Sequence, residues 1–307
     1  MTAWSRVAAA ADSAPPTWLE RLGFPDCASL ALWLAVALVV FVVALVRTPL
    51  FTTAGMASFA PPGEEFALRP VRSTFVAHLA LIIPWCILGV FQFVPSVRKS
   101  LSFAYHRLAG RAFLLVSLAV AATGLSVSAH AFGGNFASLV GMFVLTLSFL
   151  VSIFFGYRAI RHKDIASHRD WMIRLFAYGT SVITLRLFMF VGININAKLR
   201  TWTTSRCDVI ESILGGAQTA LAFPACLSSS GVVDATSLVA IQCSLRSSAN
   251  VMACLQIGYD ASIILALFVH ASLAELWIRQ RYHVRKEESD ERADLKGAAA
   301  IGTQIDE

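Results

Sequence analysis

Six runs of apolar residues, each about twenty residues long, divide the chain into membrane-length segments. A run of this length crosses the hydrocarbon core of a bilayer as an α-helix, so the pattern predicts six transmembrane helices. The predicted spans are residues 30–46, 75–94, 108–127, 136–155, 171–195 and 251–278. The predicted fold class is therefore an all-α, polytopic membrane helix bundle.

The composition agrees with this prediction. Hydrophobic residues make up 57% of the 307 residues and charged residues only 14%, whereas about a quarter of the residues of a soluble domain are charged. We predict one membrane domain over residues 29–278, between an N-terminal segment (residues 1–28) and a charged tail (residues 279–307). The net charge of +6 lies in short segments beside the apolar runs, so the expected partner is a lipid bilayer and not a nucleic acid.

The distribution of basic residues predicts the orientation of the bundle. Lys and Arg are frequent after the second, fourth and sixth spans, whereas residues 128–135 contain neither. Because basic connections stay on the cytosolic side, both termini are predicted to be cytosolic and the long 196–250 connection to be lumenal or external. The linker of residues 48–72 is placed on that same outer side, although it contains Arg69 and Arg72.

Cysteines are concentrated in the outer connection. Oxidising compartments favour disulfides, so at least one bridge is expected there. Four cysteines allow three full pairings, and the sequence leaves these open. The candidates are Cys207, Cys226, Cys243 and Cys254.

Histidines near the ends of the predicted helices give one functional hypothesis. His106 and His168 lie near the inner face, and His78 lies near the outer face. Imidazoles from facing helices ligate haem iron in helix bundles, so these residues are candidate ligands of b-type haem, His106 and His168 above all. The alternative is that they are interfacial side chains bonded to the backbone or to lipid.

Charged residues inside the fifth and sixth spans give a second hypothesis. Ionisable groups in a membrane are costly and are functional candidates by default. Glu275 lies at the depth of Arg174 and is expected to pair with it. Arg186 has no acidic residue at its depth in any predicted helix, which suggests an anionic partner such as a haem propionate or a substrate carboxylate. Alternatively, the long side chain of Arg186 extends to the outer lipid headgroups.

Sequence motifs narrow the class of chemistry. The chain contains no glycine-rich phosphate loop, no His-Glu-x-x-His motif and no Gly-x-Ser-x-Gly motif. The common kinases, zinc proteases and serine hydrolases are therefore not indicated.

Four polar blocks resemble a known family. Their most distinctive part reads His-Arg-Asp-Trp-Met-Ile-Arg and is followed by Thr-Leu-Arg. The blocks resemble those of the domain of unknown function 2306, a family of predicted multi-pass membrane proteins. The resemblance covers about residues 73–280 and implies a membrane helix bundle without an assigned activity. The matched polar positions are His78, Gln92, Arg98, His106, Arg107, His168, Arg174, Arg186 and Glu275.

Three functions are consistent with these observations. The first is transmembrane electron transfer by b-type haem. The second is a membrane-embedded biosynthetic enzyme, of the cyclase or isomerase kind, that binds a lipophilic or anionic metabolite and uses Arg186, His78 or Glu275 as acid, base or anion clamp. The third is a transporter or an accessory membrane subunit.

Overall fold

A computed structural model describes residues 17–22, 24, 27–94 and 103–305. The helices are α1 (Thr17–Leu22), α2 (Cys27–Val46), α3 (Thr53–Phe59), α4 (Glu64–Leu68), α5 (Arg72–Gln92), α6 (Phe103–Ser128), α7 (Phe136–Arg161), α8 (Ile165–Leu199), α9 (Cys207–Leu214), α10 (Gly216–Ala222) and α11 (Ser248–Ile305). Two short strands, β1 (Trp202–Arg206) and β2 (Leu238–Gln242), form an antiparallel pair.

Six of the described helices are long and apolar enough to cross a membrane: α2, α5, α6, α7, α8 and α11. The predicted all-α polytopic bundle is confirmed. The outward faces of these helices are apolar, with Leu115, Leu187 and Phe190 among the exposed side chains. Lipid tails are as apolar as these side chains. An apolar outer surface is therefore expected for a membrane domain.

The helix α8 is central to the packing, because it contacts α7 on one side and α11 on the other. Small residues allow α8 and α11 to approach closely. A Cβ atom added at Gly192 would lie only 3.4 Å from the Cα atom of Gly258. Close packing of helices through such glycines is typical of membrane bundles, where dispersion forces hold the helices together.

A compact cap, formed by residues 200–247, covers one end of the bundle, which we call the cap side. The cap contains the β1–β2 pair, α9 and α10. The predicted disulfide candidates form two bridges, Cys207–Cys226 and Cys243–Cys254. The second bridge ties the segment after β2 to the first turns of α11, so the cap is fixed to the bundle covalently as well as by packing.

The linker of residues 47–71 folds back between the cap and the bundle. Its helix α4 begins after Gly63, whose φ is 77°. This value is in the left-handed region that glycine adopts readily. A Cβ atom at this glycine would lie 3.0 Å from the Ile213 side chain of α9. Glycine at this position thus permits both the turn and the close approach of the cap.

The linker, the turn between α6 and α7, and the cap all lie at the same end of the bundle. Glu64 of the linker bonds to Phe132 in the turn, and Asn135 bonds to Asp260 of α11. This agrees with the alternating arrangement of connections that the basic residues predicted, including the placement of the linker that contains Arg69 and Arg72. Which side of the membrane carries the cap stays a prediction.

The exposed turn of residues 229–231 in the cap tests the orientation. A single cysteine at Ser229, in a background where Cys27 and Cys86 are serine, should react with a membrane-impermeant maleimide only from the lumenal or external side. The measurement is labelling of intact vesicles of known sidedness, with Ser167→Cys at the opposite end as control. Labelling of the Ser229 position from the cytosolic side would invert the predicted topology.

Candidate functional site

The pair of Arg174 and Glu275 joins α8 to α11 at the end of the bundle opposite the cap. Arg174 Nε and Nη2 donate to the two carboxylate oxygens at 2.5 and 2.9 Å. The guanidinium carbon also lies 4.6 Å from the ring centroid of Trp171. The predicted pairing is confirmed. Because both carboxylate oxygens and two of the arginine nitrogens are engaged, the pair acts as a structural clamp between two helices.

His78 and His270 are held by hydrogen bonds inside the bundle. His270 Nδ1 lies 2.9 Å from the Ala177 carbonyl oxygen and Nε2 lies 2.7 Å from Thr184 Oγ1. Since a carbonyl only accepts, Nδ1 is the donor and the threonine hydroxyl donates to Nε2. His78 Nδ1 lies 3.0 Å from Thr123 Oγ1, which links α5 to α6. Both histidines therefore have roles in joining neighbouring helices.

His106 and His168 lie at the end opposite the cap, in separate surroundings. His106 borders a shallow groove between α5 and α6, together with Gln92 and Tyr105. His168 Nδ1 lies 2.8 Å from the Gly156 carbonyl oxygen of α7 and therefore donates to it. Their assignment as haem ligands stays a prediction.

A cluster of polar and aromatic residues surrounds Arg186 on the cap side. We call Arg47, Glu64, Phe132, Arg186 and Tyr259 the arginine cluster. The guanidinium carbon of Arg186 lies 5.0 Å from the ring centroid of Phe132 and 5.9 Å from that of Tyr259. These two rings stack on each other at 4.5 Å. Cation–π contacts of this kind stabilise a guanidinium without using its N–H groups.

The backbone turn between α6 and α7 places Phe132 in this cluster. Phe132 has a φ of 50°, which is uncommon for a residue with a side chain. In this conformation its N–H donates to Glu64 Oε2 at 2.8 Å while its ring contacts Arg186 and Tyr259. Such backbone conformations persist where the surrounding contacts enforce them, and they are frequent at functional sites.

Glu64 is the acidic residue of the cluster and is only 8% exposed. Arg186 acts on its carboxylate electrostatically, but the two side chains are not among the ion pairs of the described residues. The expectation that no acidic residue lies at the depth of Arg186 applied to the predicted membrane helices. Glu64 lies outside those predicted spans, in α4, a five-residue helix of the linker.

Several polar groups near this cluster lack protein partners among the described residues. The Arg186 guanidinium makes no hydrogen bond there, and Glu64 receives only the one from Phe132. Gln256, one turn before Tyr259 on α11, has a buried Oε1 atom without a partner. Glu64 and Gln256 both line a narrow cleft beneath the cap. Buried polar groups are nearly always hydrogen-bonded in proteins, so this combination makes the region around Glu64 the candidate functional site.

Arg47 brings a second positive charge to the same region. It follows the last residue of α2, and Leu50, one turn later, is buried in the same apolar core as Leu185 and Tyr259. Burial, and to a smaller degree the positive charge of Arg186, lowers the pKa of Arg47. No carboxylate of the described residues forms an ion pair with Arg47. The cluster therefore holds two guanidinium groups and one carboxyl group.

Asp260, next to Tyr259, is used differently. Its two carboxylate oxygens accept hydrogen bonds from Asn135 Nδ2 at 2.8 Å and from Ser138 Oγ at 2.6 Å. These bonds fix the start of α7 against α11, so Asp260 is a structural residue of the cap side.

Comparison with known proteins confirms the family resemblance over residues 75–213, a range that leaves out the closing block around Glu275. The family described as predicted membrane protein, domain of unknown function 2306, matches residues 75–213. Ava biosynthesis cluster protein G of Aspergillus versicolor is 27% identical over 261 residues, which cover 74% of this chain and 75% of that protein. No solved structure matches. The matched family region includes Phe132 and Arg186 but leaves out Arg47, Glu64 and Tyr259.

The Arg174–Glu275 clamp should contribute measurably to stability. Replacing Glu275 by alanine leaves the partly buried guanidinium, 18% exposed, without its carboxylate. We expect a loss of about 1–3 kcal/mol, the usual range for a hydrogen bond to a charged group, measured as a lower free energy of unfolding in mixed micelles. The matched control is Glu65→Ala, which removes an exposed i,i+4 pair with Arg69 and should cost less than about 0.5 kcal/mol. Equal losses for the two variants would contradict a structural role for the clamp.

Proposed function

We propose that this chain is a membrane-embedded enzyme of a biosynthetic pathway, which isomerises or cyclises a lipophilic metabolite by proton transfer at the arginine cluster. The observation that carries the proposal is the buried carboxyl group of Glu64 beside the guanidinium of Arg186, which forms no ion pair with the described residues. In a purely structural pair these two groups would close on each other, as Arg174 and Glu275 do.

Glu64 is the candidate general acid or base. A carboxyl group in a buried site near a cleft is suited to transfer a proton, because burial brings the free energies of its charged and neutral forms closer together. The Phe132 N–H fixes Oε2. Oε1 receives no hydrogen bond from the described residues, so it is the oxygen that would exchange a proton with a substrate bound in the cleft.

Arg186 is the candidate group that holds a substrate oxygen. Its guanidinium contacts the Phe132 and Tyr259 rings. Its N–H donors form no hydrogen bond with the described residues, so they could bind a carbonyl, enolate or carboxylate oxygen. Fixed donors in a site of low dielectric constant stabilise negative charge that develops on such an oxygen during proton transfer. An isomerisation or cyclisation of this kind needs no redox partner, since the proton removed at one atom is returned at another.

The similar protein supports the pathway context. Its name places Ava biosynthesis cluster protein G in a biosynthetic cluster, and it is similar to this chain over three quarters of both lengths. The apolar surroundings of the arginine cluster, which include Leu50 and Leu185, favour a lipophilic metabolite over a small polar one.

The Glu64→Gln variant tests the proposal by metabolite profiling in the source organism. Loss of the general acid or base should lower one lipophilic product by about 100-fold or more. A precursor of identical molecular mass should accumulate, because isomerisation and cyclisation conserve composition. The measurement is liquid chromatography with mass spectrometry of extracts from strains that carry the wild type, the variant or a deletion.

Glu65 provides the matched control for this experiment. It follows Glu64 directly in α4 but is more exposed and pairs with Arg69, so Glu65→Gln should leave the profile unchanged. Immunoblotting establishes equal protein amounts in all strains. A profile of Glu64→Gln that equals the wild type, while the deletion strain loses a product, would eliminate the proposed role of Glu64.

Electron transfer by b-type haem is the second candidate function. The observation that favours it is the hydrogen bond from His168 Nδ1 to the Gly156 carbonyl oxygen. This bond fixes the tautomer in which Nε2 carries the free lone pair, which is the arrangement common in histidine ligands of metals. His106 lies at the same end of the bundle and would be the other ligand.

Optical spectroscopy distinguishes the second candidate from the first. If haem binds, protein expressed with added haem precursor shows a Soret band that shifts on reduction with dithionite. His106→Ala and His168→Ala then lose this band, whereas the exposed His162→Ala retains it. Wild-type protein that lacks Soret absorbance under these conditions would remove electron transfer as a function.

A further inference from the structure

We propose that the cleft beneath the cap binds the hydroxyl group of a lipophilic ligand, with Gln256 Oε1 as the acceptor of its hydrogen bond. The ligand class is therefore a lipophilic alcohol or phenol. The identification of this ligand as the substrate rests on the function proposed above. The binding itself depends only on the size, burial and hydrogen-bonding groups of the cleft.

The cleft is small and is shared by several elements. Residues of α4, α9, α11 and the turn between α6 and α7 line it, and its volume is about 10 Å³. This is about the space that one water molecule needs. The cleft therefore admits a single small polar group of a ligand, and the rest of the molecule must lie outside it.

The amide of Gln256 is buried at this cleft. The residue is only 5% exposed, and its Oε1 atom has no hydrogen-bond partner among the described residues. The neighbouring walls include Val209, Met252 and Leu255, whose side chains have no donor. A buried carbonyl oxygen without a donor is costly, and such groups are rare in native proteins. The amide oxygen is therefore a preformed acceptor for a group that enters the cleft.

Glu64 is the other polar side chain that lines the cleft, and its Oε2 accepts from the Phe132 N–H. A hydroxyl group can donate to Gln256 Oε1 and at the same time accept from the protonated form of Glu64. An ether or ketone oxygen only accepts, so it would leave Gln256 unpaired. An ammonium group has three donors to satisfy, and its burial costs more than that of a neutral hydroxyl.

The position of Gln256 determines what this hydrogen bond would do. Gln256 lies one turn before Tyr259 on α11, and Phe132 both lines the cleft and contacts the guanidinium of Arg186. A ligand whose hydroxyl is bound to Gln256 is therefore placed beside Glu64 and next to the arginine cluster. Gln256 binds and orients the ligand and does not itself transfer a proton.

Thermal unfolding of the purified full-length protein tests the binding. The Cys86 thiol is buried, so its reaction with a thiol-reactive dye reports unfolding in a Cys27→Ser background. In a neutral detergent, 1-decanol should raise the unfolding temperature in a saturable manner, whereas decyl methyl ether, which lacks the donor, should not. The corresponding phenol pair is 4-phenylphenol and 4-methoxybiphenyl. A preference for the hydroxyl probe in either pair supports the inference.

Two results with these probes would overturn the inference. Equal effects of the hydroxyl and ether probes in both pairs would mean that the cleft holds only water. Stronger stabilisation by decylamine than by 1-decanol would mean that the cleft takes a cationic donor instead of a hydroxyl group.

Variants at position 256 assign the binding to the amide oxygen. Gln256→Met has a similar volume but no such acceptor, and it should weaken the apparent affinity for the hydroxyl probe by about 10-fold, the effect of losing one hydrogen bond in a buried site. Gln256→Glu keeps an acceptor oxygen and should retain most of the affinity. The matched control is Gln218→Met, at an exposed glutamine of the cap, which should not change it. Unchanged affinity in Gln256→Met would refute the site.

The stability of the unliganded variant separates binding from a structural role. Gln256→Met removes a buried oxygen that forms no hydrogen bond with the described residues. The unfolding temperature of unliganded Gln256→Met should therefore equal or exceed that of the wild type, because a buried polar atom without a partner is unfavourable. A lower unfolding temperature would indicate that the amide stabilises the fold and would count against a role in binding.

The metabolite experiment separates this inference from the proposed enzyme function. If the ligand is the substrate, the precursor that accumulates in the Glu64→Gln strain forms an acetate ester with acetic anhydride. A precursor without a hydroxyl group would overturn the assigned substrate class. Normal production by Gln256→Met, where Glu64→Gln abolishes the product, would reject the inference and retain the enzyme function. Probe binding that depends on Gln256, without any effect of Glu64→Gln on metabolites, would instead reject only the enzyme function.

Discussion

The lack of water in the bilayer core makes every charged side chain there depend on a partner, and Arg186 is the residue on which this constraint acts most directly. Its guanidinium is held by aromatic rings instead of by carboxylates. The left-handed backbone at Phe132 in the α6–α7 turn places the Phe132 ring against Arg186 and directs its N–H to Glu64. The linker likewise folds inward to bury Glu64. The cap-side end of the structure is thus organised around one cation.

The two arginines of α8 show how differently the same residue type can be used. Twelve residues separate Arg174 from Arg186, about 18 Å along a helix. Arg174 meets a carboxylate in bidentate geometry and links two helices. Arg186 has a carboxylate nearby that is bonded elsewhere. Within one helix, the first arginine is bound by a carboxylate, and the second is held by aromatic rings and forms no hydrogen bond with the described residues.

The features that were predicted from the sequence are those that leave a regular pattern along the chain or involve residues of matching position. Apolar runs predicted the six spans, matching depth predicted the Arg174–Glu275 pair, and clustering predicted the disulfides, although not their pairing. Glu64 had no such signal. It lies in a short linker helix after Pro61, Pro62 and Gly63. These residues indicate a turn, but the sequence does not indicate that Glu64 is buried. Its role depends on contacts with segments 68 residues away in sequence, which only the folded chain reveals.

The cap encloses the part of the bundle that contains the proposed site. Helix α9 covers the start of α4 through Ile213 and Val209, and the two disulfides hold the cap in place. Glu64 and Gln256 are thereby buried beneath the cap. Electrostatic interactions are stronger in such a water-poor site, so the proposed proton transfer at Glu64 would gain from the enclosure. In the proposed function, a substrate would enter between the helices or beneath the cap, which favours molecules that dissolve in the bilayer.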